Sequence, residues 1–378
     1  MIYFDNAATS CPKPKTVRDE VYKYLSGYYC GNPGRGSHLV SLTAASAVYD
    51  CRCEIASFFG SDHPENVVFT YNASYALNIA IKGILDEGDH VIISNLEHNS
   101  VLRPVYALQK KMVSFDTFDA LLDEEALLRD LKSKIRPNTK AVVCMHASNI
   151  CSVLLPIRKI GELCKRYGLI FVVDASQSAG NVPINVEEDF IDILCAPGHK
   201  GLLGPQGSGF LLISPQLKPL HTLIEGGNGV NSLDFDMGTT LPEQLEAGTV
   251  STPAIAGLCA GIRFLKSYMV QAVSEKERHL ARYFTERIKK FDFIELYAED
   301  FHQGSIVLFN VQGKSPGEIS EYLSREKICV RSGYHCSPLG HRALNTPAGG
   351  ALRASFGIYN TESEIDEFCR VLKRIMKY

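Results

Sequence analysis

Between residues 67 and 213 the chain repeats one pattern, a short aliphatic run followed by a segment of helical periodicity. The runs are Val67 to Thr70, His90 to Ser94, Ala141 to Met145 and Leu169 to Val173, the last ending at Asp174. Between them lie Ser74 to Leu85, Ser100 to Lys111, an acidic helix near Asp123 to Lys134, and Ile157 to Tyr167. Strands that are apolar throughout are buried on both faces. Their alternation with helices therefore predicts a parallel or mostly parallel sheet covered on both sides. Such sheets bind ligands where the carboxyl ends of their strands meet loops. Polar clusters stand at those ends: Asn72-Ala73-Ser74, Glu97-His98-Asn99, His146-Ala147-Ser148-Asn149 and Asp174-Ala175-Ser176-Gln177. Singly, each is explained by helix capping. Four at corresponding positions point to a site.

The chain of 378 residues is long enough for two units. Met1 to Cys11 reads as an extended arm ended by Pro12 and Pro14. Thr16 to Leu25 is amphipathic and helical, a glycine- and aromatic-rich loop follows to Ser37, and a long helix spans Leu39 to Phe59. After Gly248 to Pro253 the pattern changes. Helices at Ala254 to Tyr268 and Glu275 to Lys290 precede strands near Ile306 to Asn310 and Ile328 to Arg331, then a last helix from Glu362 to about Lys377. The expected architecture is α/β: a large unit over 15–254, a smaller α+β unit over 255–378, and an arm, 1–14, joining them.

The stretch Ala196 to Gly209 holds one lysine, Lys200, beside His199 and among five glycines, with apolar runs Ile191 to Cys195 and Phe210 to Ile213 on either side. A desolvated lysine loses basicity, and an uncharged amine can attack a carbonyl, as a Schiff-base lysine must. Alone, the stretch is more simply a glycine-rich hairpin with a solvated lysine. Asp174 changes the balance. Pyridoxal phosphate needs a lysine for its covalent link, a carboxylate to keep its ring nitrogen protonated, and donors around its phosphate. Asp174 and Lys200 can meet the two ends of one ring, Ser74 at a helix start can serve the phosphate, and His98 can lie over the ring face.

Bulk properties exclude other classes. A net charge of −3, with 45% hydrophobic and 21% charged residues, gives no electrostatic case for nucleic acid or an anionic membrane. No apolar run approaches the ~20 residues a bilayer requires. Met1 to Asn6 lacks the basic start and apolar region of a secretory signal, so a cytoplasmic location is expected. Twelve cysteines without an export signal read as free thiols. Cys144, Cys195, Cys259 and Cys329 sit in apolar segments, and no zinc spacing occurs. Cys336 stands apart, flanked by Gly333, Pro338 and Gly340 in a composition suited to a mobile loop.

In order and spacing, the chain resembles the class V aminotransferase superfamily, and within it the cysteine desulfurases. Phe4-Asp5-Asn6-Ala7-Ala8, Glu97-His98, Ser148-Asn149, Asp174-Ala175-Ser176-Gln177 and Gly198-His199-Lys200 carry the first part of the likeness. Glu225-Gly226-Gly227, Glu246-Ala247-Gly248-Thr249, Val330 to Cys336 and Leu352-Arg353-Ala354-Ser355 carry the rest. The segment around Cys336 is similar to the second group of these enzymes, the group allied to selenocysteine lyases.

The resemblance implies the type I fold of pyridoxal-phosphate-dependent transferases, with a seven-stranded sheet in the large domain. It implies a cofactor held covalently by Lys200, with Asp174 at the ring nitrogen, Gln177 and Asn149 at the ring's polar edge, and His98 stacked on the ring. Ser74, the Ala73 amide and His199 would hold the phosphate. Thr249 would reach the cofactor of a second subunit, so a homodimer is implied. Arg353 would clamp the carboxylate of the substrate L-cysteine, with Asn149, Arg35 and Ala8 nearby, and Cys336 would take the sulfur as a persulfide for an acceptor protein. Arg331, close in sequence to Cys336, would favour the thiolate. Pro197 departs from a common phosphate-binding serine, Tyr334 from a frequent histidine, and Gly34 from a histidine before Arg35. Selenocysteine as substrate, an aminotransferase or β-lyase without a persulfide step, and a non-catalytic sulfur carrier are the alternatives.

Overall fold

The computed structural model describes residues 1–34, 36–230, 232–301 and 303–375. In chain order the elements are β1 (Ile2–Tyr3), α1 (Lys15–Tyr24), α2 (Leu39–Phe58), β2 (Val67–Thr70), α3 (Ala73–Ile84), β3 (His90–Ser94) and α4 (Asn99–Leu108). Then come β4 (Ser114–Phe118), α5 (Glu124–Ser133), β5 (Thr139–Met145), α6 (Ile157–Tyr167), β6 (Ile170–Asp174), β7 (Ile193–Pro197) and β8 (Gly209–Ile213). The remainder comprises α7 (Thr252–Tyr268), α8 (Val270–Ile288), β9 (Ile294–Tyr297), β10 (Ile306–Val311), α9 (Pro316–Arg325), β11 (Ile328–Cys329), β12 (Arg331–Gly333), α10 (Pro338–Ala343), β13 (Ala351–Ser355) and α11 (Glu362–Ile375).

Seven strands form one sheet in the order β2-β8-β7-β6-β5-β3-β4. Pairing is parallel from β7 to β4, whereas β8 runs antiparallel to both β7 and β2. Successive side chains point to opposite faces, and both faces are covered as expected. Phe171 and Val173 of β6 join one core with α2, α5, α6 and α7, while Val172 joins the other with α3 and α4. Cys144 and Cys195 are fully buried in these layers. The helices start and stop by local chemistry. Asp123 caps α5 through the Ala126 amide, Asn72 caps α3 through the Tyr75 amide, and Gly168 at φ +65 ends α6 in a left-handed turn.

A second, antiparallel sheet follows the order β12-β13-β10-β9 and packs with α8, α9 and α11 around Phe284, Phe309 and Phe368. The N-terminal arm enters this core. Phe4 is fully buried there, with its ring centroid 5.0 Å from that of Phe356, and β1 pairs in parallel with β11.

Several elements depart from expectation. β4 was not anticipated, because Ser-Phe-Asp-Thr-Phe alternates polar and apolar and forms the half-buried edge of the sheet. Strands β9 and β13 and helices α9 and α10 were also missed. The single strand expected at Ile328 to Arg331 is two: β11 pairs with β1, and β12 with β13. Ile255, Leu258, Ile262 and Leu265 of α7 share one core with Phe171 and Val173 of the large sheet and Leu308 of the smaller one.

Candidate active site

A cavity of about 230 Å³ opens at the carboxyl ends of the parallel strands. Of the residues singled out in the sequence, all but Arg35, Thr249 and Cys336 line it. Arg35 lies outside the described residues. Thr249 lines a separate pocket with Tyr71, Tyr75 and Gly207.

Each wall follows from an element end. Asp174 closes β6, buried, with Oδ1 accepting from the Ser176 amide at 2.9 Å. His98 is the N-cap of α4; its Nδ1 accepts from the Ser100 amide at 3.0 Å. That leaves any ring proton on Nε2. Burial, reinforced by Lys200, Arg331 and Arg353, pushes His98 down to about 4, so the ring is neutral. Ser74 in the first turn of α3 shares a 2.5 Å hydrogen bond with the Ser100 hydroxyl. Two hydroxyls thus meet where helices α3 and α4 begin.

Lys200 lies on the loop after β7. Burial pushes it down to about 8, with Arg353 and Arg331 adding to the effect and Asp174 opposing it. The loop is fixed from outside: its His199 carbonyl accepts from Lys13 Nζ at 2.6 Å and Thr9 Oγ1 at 3.0 Å, and the Lys200 carbonyl accepts from Ser10 Oγ at 2.9 Å. The loop's glycines serve close packing of backbone. A Cβ on Gly201 would overlap the Ala179 carbonyl oxygen, and one on Gly198 would overlap Ser208 Oγ. Bare backbone lets the loop pack against its own neighbours and holds the lysine still. His199, held near 4 by burial, Lys200 and Lys13, keeps its Nδ1 buried without a partner.

Arg353 stands on β13, almost wholly buried. NH1 donates to the Asn149 carbonyl at 2.9 Å and NH2 to Asp5 Oδ1 at 2.7 Å, while Nε has no partner. Gln177 Nε2 donates to the Ala7 carbonyl at 3.0 Å, which brings the arm to the cavity with Ala8. Beneath Asp174, the buried Glu97 carboxyl accepts from Ser94 and from the Met145 amide, joining β3 to β5. Burial pushes it up to about 8.

Cys336 is exposed on a turn beside the cavity wall formed by His335 and Arg331. The mobile loop expected there is instead a pinned turn. The Asn99 amide donates to the Cys336 carbonyl at 2.7 Å, Asn149 Nδ2 to the His335 carbonyl at 2.8 Å, and Ser337 Oγ lies 3.1 Å from the Leu96 carbonyl. Pro338 begins α10 rather than a loose segment. His335 and Cys336 both adopt left-handed backbone, at φ +48 and +58, a conformation costing roughly 1 kcal/mol or more per residue. Sequence reasoning also passed over Ser100 and His335 as cavity-lining residues. Ser100 was findable as the first-turn hydroxyl two residues after His98. No cluster able to hold a metal ion occurs among the described residues.

The aminotransferase class-V family model matches residues 2–368. A protein of Pyrococcus abyssi named a probable cysteine desulfurase is 34% identical, over 100% of this chain and 94% of its own length. One of Synechocystis sp., bearing the same name, is 31% identical over 100% of this chain and 91% of its length. Among solved structures, the apo cysteine desulfurase of Thermococcus onnurineus NA1 superimposes with a TM-score of 0.92 at 33% identity, covering 100% of this chain and 94% of that one. The cysteine desulfurase CsdA of Escherichia coli shares the fold, with a TM-score of 0.89 at 24% identity, over 99% and 94% of the two chains. Since this match runs through both sheets and every wall of the cavity, the chain belongs to the class-V aminotransferase family.

Proposed function

We propose that this protein is a pyridoxal-phosphate-dependent cysteine desulfurase that converts L-cysteine to L-alanine and leaves the sulfur on Cys336. The observation that carries this reading is a lysine of lowered basicity facing a buried aspartate in one cavity, with an exposed cysteine on a pinned turn at its wall. The names of the relatives agree with it.

The residues present fit the cofactor. Lys200 would hold it covalently, Asp174 would face the ring nitrogen, and neutral His98 offers a flat uncharged ring face. The unpartnered Nδ1 of His199, together with Ser74, Ser100 and the first amides of α3, supplies donors for a phosphate even though Pro197 has no hydroxyl or amide hydrogen to add. When bound, pyridoxal phosphate supplies an electron sink for bonds broken at the substrate's α-carbon.

The chain's own groups do the rest. Arg353, oriented by Asp5 and Asn149, keeps Nε–H free for the substrate carboxylate. Lys200 Nζ, titrating at about 8, can take and return a proton near neutrality. The Cys336 thiolate forms a bond to the substrate sulfur as the Cβ–S bond breaks. Carbon keeps that electron pair and gains a proton, so cysteine plus thiol becomes alanine plus persulfide. Thr249, away from the Lys200 cavity in its own chain, suits a homodimer in which it serves the neighbouring site. An acceptor protein would collect sulfur from the exposed Cys336. A cytoplasmic location belongs to the same proposal; no described helix is long and apolar enough to cross a membrane.

The test is direct. Borohydride should fix pyridoxal phosphate to the wild-type chain at Lys200, and L-cysteine should add one sulfur atom to Cys336, read by mass spectrometry. Persistence of the borohydride-fixed link in Lys200→Ala would remove the assignment.

A further inference from the structure

The turn that carries Cys336 is backed by two histidines whose hydrogen bonds form a single line. His335 Nε2 lies 3.3 Å from the Arg331 carbonyl, His335 Nδ1 lies 3.2 Å from His341 Nε2, and His341 Nδ1 lies 2.8 Å from Thr346 Oγ1. Both imidazoles are buried, nearly coplanar at 15°, with centroids 5.4 Å apart. The Tyr334 ring stands edge-on to His341, and its hydroxyl accepts from the Gly349 amide at 3.1 Å.

The donors in this line can be deduced from its end. A carbonyl oxygen only accepts, so His335 Nε2 must carry hydrogen. In a neutral ring Nδ1 is then a lone pair, and His341 must donate to it from its own Nε2. His341 Nδ1 is left as an acceptor beside the Thr346 hydroxyl at 2.8 Å, the nearer of that hydroxyl's two acceptors, since the His341 carbonyl lies at 3.3 Å. Burial lowers the pKa of both rings, which keeps them neutral. With both ring nitrogens committed, His335 has none left to exchange protons with a substrate, although it lines the cavity. What it can do is hold shape. It sits in the left-handed pair His335–Cys336, a backbone that persists only where neighbours determine it.

We propose that His341 is a positioning residue for sulfur transfer: through the Nε2–H···Nδ1 bond it locks the His335 ring, and thereby the turn that presents the Cys336 thiol. This rests on the desulfurase reading of Cys336. The Arg331 carbonyl sets both tautomers, and the Thr346 hydroxyl stands beside His341 Nδ1 at the far end.

The experiment uses the holoenzyme and two variants. His341→Phe keeps a ring of similar size against His335 but loses the donor. It should lower kcat for alanine release about tenfold while KM for cysteine stays within about twofold and the bound cofactor's absorbance is unchanged. His341→Gln places an amide N–H at similar reach and should recover most of the loss. In parallel, selective ¹⁵N labelling of histidine should show His335 protonated at Nε2 in the wild type, with that tautomer lost in His341→Phe. Wild-type kcat in His341→Phe, absence of rescue by glutamine, or His335 protonated at Nδ1 in the wild type would each overturn the proposal. If the wild-type holoenzyme releases no alanine, it is the desulfurase reading that fails, and the ring-nitrogen spectrum alone then decides the relay.

Discussion

At Lys200, burial and two arginines favour the neutral amine while Asp174 favours the ammonium, and the balance lies at about 8 instead of the ordinary 10.5. Because the pKa is lowered, the reactive neutral fraction grows as pH rises through about 8 and is largely complete by about pH 9, where an ordinary lysine is only beginning to titrate. Stripped of cofactor, the enzyme should capture pyridoxal phosphate with a rate that climbs between about pH 7 and 9 and then levels. A rate still rising toward the ordinary lysine range would contradict this. Arg353 makes a second residue-scale argument. Its planar fork, set by Asp5 and Asn149, lines the cavity with Nε unpartnered. Arg353→Lys keeps the charge but loses this geometry, so KM for cysteine should rise about tenfold or more. An unchanged KM would move carboxylate binding elsewhere.

Among the elements, the glycine loop after β7 supports a sharp expectation. Gly201→Ala would push a methyl into the Ala179 carbonyl. The overlap should cost about 1–3 kcal/mol of stability, measurable as a lowered unfolding midpoint, and should weaken cofactor capture because Lys200 shifts with the loop. Wild-type stability in that variant would show that the loop can yield. The same elements show what was legible in the sequence. The strands β2, β3, β5 and β6 stood out because burial on both faces makes them continuously apolar, and the polar clusters at their ends came together as predicted. The arginine strand β13 did not stand out, since Ala-Leu-Arg-Ala-Ser has a charge at its centre. That charge is accommodated by Asp5 and the Asn149 carbonyl, both distant in sequence. The turn at Cys336 was misread for a related reason. Glycine and proline composition suggests mobility, whereas bonds from Asn99, Asn149 and Ser337, all made in three dimensions, hold it.

At the scale of the whole molecule, the N-terminal arm joins the two sheets at the cavity. Phe4 is buried in the smaller core, Asp5 holds Arg353, and Ala7 meets Gln177 beside Asp174. On the proposed function, a cofactor held from the large sheet and a carboxylate held from the small one would thereby be set at a fixed separation, with the Cys336 turn at their margin. The claim that this arrangement exists to move sulfur is tested most directly by comparing wild type and Cys336→Ala on L-cysteine, with alanine and protein-bound sulfur measured together. The wild type should release alanine and carry one added sulfur on Cys336. The variant should retain cofactor and bind cysteine, yet release alanine at least about a hundredfold more slowly and carry no added sulfur. Alanine release at the wild-type rate from Cys336→Ala would contradict the account.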